Sequence, residues 1–70
     1  MESITGYVEH IVFQNSENGY TVMILMTEGE EVTCVGMCKG LGQGENITAE
    51  GEYIEHPVYG RQFKIQTYET

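Results

Sequence analysis

No segment of this 70-residue chain repeats its apolar residues at helical spacing over about 11 positions or more. Two-residue alternation recurs instead, in short runs separated by turn signals. "ITGYVEHIVF" (4–13), "YTVMILMT" (20–27), "EVTCVGM" (31–37), "ITAEGEYIE" (47–55) and "RQFKIQTYE" (61–69) read as five strands. "NSENG" (15–19) is a turn in which Asn18-Gly19 supplies positive φ angles, Glu28-Gly29-Glu30 is the second, and "HPVYG" (56–60) the third. "CKGLGQGEN" (38–46) has three glycines and reads as a longer, non-helical connection. The second run is apolar on both faces, as a central strand would be. In the first run the alternation changes phase: Ile4 and Val8 share one face, Ile11 and Phe13 the other. This predicts one bulge, with Gly6 as the residue that bends.

Five antiparallel strands are too few for a seven-stranded sandwich. A small all-β barrel, closed or partly open, is the economical solution, since closure also removes open edges. The longer connection after strand three falls where an OB-fold carries its variable linker. An SH3-like barrel is the competing topology, but it needs a long first loop that is absent here. The expectation is therefore a single five-stranded antiparallel OB-fold barrel over residues 1–70. Such a chain buries only about 60% of its unfolded surface, so its core is small.

Charge limits the function. Eleven glutamates face three basic residues, for a formal net charge of −8. Non-specific nucleic-acid affinity comes from neutralising phosphates, so the isolated chain should bind DNA or RNA weakly. No apolar run approaches a membrane span of about 20 residues, and the acidic start "MESITGYVEH" is no signal peptide. Two cysteines, Cys34 and Cys38, are too few for a disulfide framework. The reading is cytoplasmic, without membrane contact.

Catalytic patterns are missing. "GLGQGENI" lacks the Gly-Lys-Ser/Thr of a nucleotide loop. There is no aspartate, and the glutamates fall at turns or outward strand positions rather than as a facing pair. Cys34 and Cys38 with His10 and His56 would make a zinc set by composition, but the histidines lack the paired spacing of structural sites. A Cys-His catalytic pair would find little room for a substrate cleft in a 70-residue barrel. The expectation is a non-enzymatic domain with no cofactor of its own. One feature remains: Arg61 and Lys64 lie beside Tyr53, His56, Tyr59 and Phe63, next to the only proline. The aromatics Tyr53 and Phe63 suit a core, and Arg61 is placed to pair with Glu55. Tyr59, Arg61, Lys64 and His56, extended by Tyr7 and Tyr20, also fit a contact surface of the stacking kind that OB-folds use for oligonucleotides.

The string "ITGYVEHIVFQNSENGYTV", then "EVTCVGM", then "GEYIEHPVYGRQFKI" resembles the N-terminal OB-fold domain of long RecD-like helicases, the YrrC group, often described as exodeoxyribonuclease V alpha subunits. The resemblance runs from about Ile4 to Tyr68. It is sharpest at "NGYTV" and at the Gly-Glu-aromatic hairpin with "EHPVYGRQFK". Two positions depart from the pattern. Tyr53 stands where tryptophan is usual and fills most of its space, and Val58 stands where lysine is frequent, which removes a cation from the hairpin loop. The resemblance implies a longer parent chain with helix-hairpin-helix elements and two ATPase lobes, an ATP- and Mg-dependent 5′–3′ DNA helicase of recombination and repair. The present chain, which stops one residue after "TYE", would then be an excised domain or fragment. Its expected partners are the rest of the helicase, single-stranded DNA held weakly, or another protein met through the acidic face. A free-standing single-strand-binding or adaptor OB-fold protein is the alternative, and a small metal or redox domain a remoter one.

Overall fold

In a computed structural model describing all 70 residues, the chain forms five strands and no helix. They are β1 (Glu2–Gln14), β2 (Tyr20–Thr27), β3 (Glu30–Met37), β4 (Asn46–His56) and β5 (Gly60–Glu69). The strands close into a barrel in the order β1-β2-β3-β5-β4. This is the small all-β OB-type barrel expected, with one difference. Four seams are antiparallel, but β3 and β5 run parallel, matched only at Cys34 with Phe63 and Val35 with Lys64. The long connection that separates β3 from β4 lets the chain cross the barrel, and crossing is what makes a parallel neighbour available.

β1 serves two neighbours. Glu2–Tyr7 pairs with β4 and Tyr7–Gln14 with β2. Two register shifts lie in the second half, between Val8 and His10 and between Ile11 and Phe13. The expected single bulge at Gly6 is thus replaced by two, at Glu9 and Val12. Each extra residue inverts the alternation once. Val8 and Ile11 therefore both face the core, while Phe13, aligned with Val22, faces out. Gly6 has another task. A Cβ there would come 2.1 Å from the Met26 carbonyl oxygen, so glycine permits the close approach of β2 where β1 changes partner.

The turns differ in detail. Asn15 Oδ1 accepts the N–H groups of Glu17 (2.8 Å) and Asn18 (3.2 Å), and only Gly19 takes a positive φ, of 83°. Asn18 uses its side-chain oxygen instead, accepting the Tyr20 N–H at 2.9 Å. The positive pair is Glu28 (51°) and Gly29 (81°), the conformation that two-residue hairpins favour.

The barrel is filled by Val8, Met23, Leu25, Cys34, Ile47, Ala49, Phe63 and Ile65. Its end is closed by the glycine-rich connection, which puts Cys38 and Leu41 into the same core. Gln14 pins that connection: its Nε2 donates to the carbonyls of Cys38 and Leu41, both at 3.2 Å, and to Thr21 Oγ1 at 3.1 Å. Backbone bonds from Gly44 N to Val8 O (2.8 Å) and Val8 N to Glu45 O (2.9 Å) fix its far end. The segment read as a longer, non-helical connection is a docked plug.

Candidate functional site: an apolar groove on the outer face

β2 is apolar on both sides, and only Met23 and Leu25 are used by the core. Its other face, Tyr20, Val22 and Ile24, floors a groove of ≈ 610 Å³ on the outside of the barrel. One wall comes from Val12 and Phe13, set there by the second bulge of β1. Thr33 and Val35 of β3 and Gln62 of β5 make the opposite side. His56 and Tyr59, from the β4–β5 turn, hang over the end.

The turn holds its aromatics in place. His56 Nδ1 accepts the N–H of Val58 at 3.0 Å and of Tyr59 at 3.2 Å, which assigns the ring proton to Nε2. The His56 and Tyr59 rings are tilted together at 4.8 Å. Gly60, at a φ of 82°, turns the chain into β5.

This face concentrates the exposed apolar surface. Tyr59 and Val58 are each 75% exposed, Val12 55% and Phe13 51%. Met37, at 61%, stands opposite Tyr20 in the β2–β3 ladder and prolongs the strip. No lysine, arginine or glutamate lines the groove. A depression of similar size at another side of the barrel, bounded by Thr5, Thr27, Glu28 and Tyr53, holds no exposed aromatic side chain.

Of the six contact residues expected, Tyr20, His56 and Tyr59 line the groove. Tyr7 is exposed where β1 passes from β4 to β2, outside the lining. Arg61 does not extend into it either: its guanidinium lies 4.0 Å over the Tyr53 ring, which meets Phe63 edge-on at 5.0 Å. The cation thus caps an aromatic pair, the ring taking the contact foreseen for Glu55, its cross-strand neighbour. Lys64 is aligned with Val35 and, on its other side, with Glu52. It flanks the groove beside an opposite charge. Sequence reasoning missed Val12, Phe13, Val22 and Ile24. The signal was present in "YTVMILMT", whose second apolar face is floor rather than core.

The remaining polar chemistry lies elsewhere. No three His, Cys or Glu side chains gather into a set able to hold a metal ion. Cys34 and Cys38 are free and buried. Burial pushes the Cys34 thiol up to about 12, with Cys38 adding to it, and burial raises Cys38 too. The neighbouring Glu31 carboxyl holds Glu9 above the ordinary carboxyl range. No helix is long and apolar enough to cross a membrane.

A comparison with curated proteins finds no match. A family model described as "ATP-dependent DNA helicase YrrC, OB-fold domain" matches residues 1–70, the whole chain. With the five-stranded barrel, this places the chain in the family of YrrC helicase OB-fold domains.

Proposed function

We propose that this chain is the accessory OB-fold module of a longer, cytoplasmic YrrC-type DNA helicase, and that it works by holding a protein segment in its outer groove. One observation carries the reading. A chain of net charge −8 sets four of its eight large exposed apolar side chains, Val12, Phe13, Tyr20 and Tyr59, along a groove lined by no lysine, arginine or glutamate. Contiguous exposed apolar surface marks protein contacts, whereas a single-strand site needs cations along its track. ATP and Mg belong to the motor lobes of the parent, where hydrolysis and 5′–3′ movement take place; the module contributes contact, not chemistry.

A second reading, weak contact with single-stranded DNA, draws on the rings of Phe13, Tyr20, His56 and Tyr59 meeting in one groove, since bases stack on such platforms. An amide chemical-shift titration separates the two. Adding the motor portion of the parent should move the amides of Phe13, Tyr20 and Tyr59. An oligothymidylate at roughly millimolar concentration in low salt, where phosphate attraction is strongest, should move none. Groove shifts with the oligonucleotide and none with protein would overturn the docking reading.

A further inference from the structure

The groove adjoins a smaller depression of ≈ 200 Å³, with which it shares Thr33 and Gln62. Glu30 and Glu31 line that depression. Arg61 is its only cation, and its guanidinium is held against Tyr53. Two carboxylates therefore share the depression with one committed positive charge, at the end of an uncharged, aromatic-walled groove. The backbone also changes here. The β3–β5 ladder is two residue pairs long, so β3 from Glu30 to Thr33 has a strand partner only on its β2 side.

From this juxtaposition, and resting on the docking reading above, the geometry points to a basic-flanked apolar peptide as the occupant. It is a short extended segment with a large apolar or aromatic anchor among Phe13, Tyr20 and Tyr59. Lysine or arginine side chains follow, reaching Glu30 and Glu31. Charge complementarity selects it over the alternatives. A second copy of this chain would bring another net charge of −8 against the first. A nucleic-acid strand would lay phosphates against Glu30 and Glu31, with no cation lining the groove and only Lys64, aligned with Glu52, beside it. A basic segment supplies cations to Glu30 and Glu31, and its backbone can pair with the open edge of β3 as an added strand.

A random dodecapeptide library displayed on phage tests this against the immobilised chain. Clones that also bind the Phe13→Ser, Tyr59→Ser double variant are discarded; both side chains are about half exposed or more, and Tyr59→Ser alone serves if the pair impairs folding. The retained clones should combine an aromatic or large aliphatic residue with at least two lysines or arginines. A synthetic winner should bind the Glu30→Gln, Glu31→Gln variant about tenfold more weakly and lose affinity with added salt. Groove-dependent clones without basic residues, or clones indifferent to the glutamine changes, overturn the inference while the docking reading stands. Finding no groove-dependent clone at all, together with oligonucleotide shifts in the groove, overturns both.

Discussion

Cys34 and Cys38 are fully buried, and what they lose is reactivity. A thiol that ionises only near 12 presents almost no thiolate to a reagent at neutral pH. Ellman's reagent should therefore leave both untouched in the folded chain and titrate both in denaturant; prompt reaction of either would contradict the burial. The stability consequence has a definite sign. The folded value of Cys34 is raised, so its contribution is complete below the ordinary value of 9.0 and is lost as pH rises through that value toward about 12. Glu9 is also raised, by the neighbouring Glu31 carboxyl. Its neutral form suits the fold, so the benefit is present below the ordinary carboxyl value and disappears as pH climbs past it. Glu9→Gln should raise the melting temperature at pH 7, with the advantage over the parent shrinking as pH falls through the range near 4.5. A variant that melts at or below the parent at pH 7 would mean that the two carboxylates are already relaxed by solvent.

At the scale of strands, two glycines separate two kinds of constraint. A Cβ on Gly51 would lie 1.9 Å from the Lys64 carbonyl oxygen, at the register shift between β4 and β5. Gly29 has a φ of 81° but open space around it. Gly51→Ala must push β4 and β5 apart, which should cost about 3 kcal/mol or more. Gly29→Ala adds only backbone strain, about 1 kcal/mol. Urea midpoints should rank them in that order, and equal midpoints would show that β4 and β5 separate freely at the bulge. Most of the strand plan was legible, because alternation and turn residues are local signals. The ladders were less so. The phase change in β1 was visible, but Ile11 and Phe13 look alike as a pair of apolar residues two apart. Only pairing with Met23 and Val22 shows that a second bulge divides them. Leu41 was hidden for a similar reason: nothing among three glycines announces a core residue, and its burial depends on Gln14 reaching across from β1.

Over the whole molecule, charge and surface pull in different directions. A net charge of −8 on a barrel with principal extents of 25 × 25 × 20 Å repels itself. The Debye length falls from about 30 Å at 0.01 M salt to about 8 Å at 0.15 M. Sodium chloride over that range should raise the melting temperature, and a flat response would mean that the glutamates are too widely spaced to interact. The candidate site was half legible. Tyr20, His56 and Tyr59 carried the aromatic signature, whereas Arg61 looked like a contact residue because sequence does not reveal that Tyr53 occupies its guanidinium. The short parallel seam between β3 and β5 has its own consequence. With two residue pairs holding it, it is the join at which the barrel breathes most readily, and amide hydrogens around Thr33 and Gln62 should exchange ahead of those in the longer ladders. Those two residues are also groove lining, drawn from opposite sides of the join. Whatever occupies the groove spans it like a suture, so occupancy and barrel closure are linked equilibria, and slower exchange at the join reports the bound state.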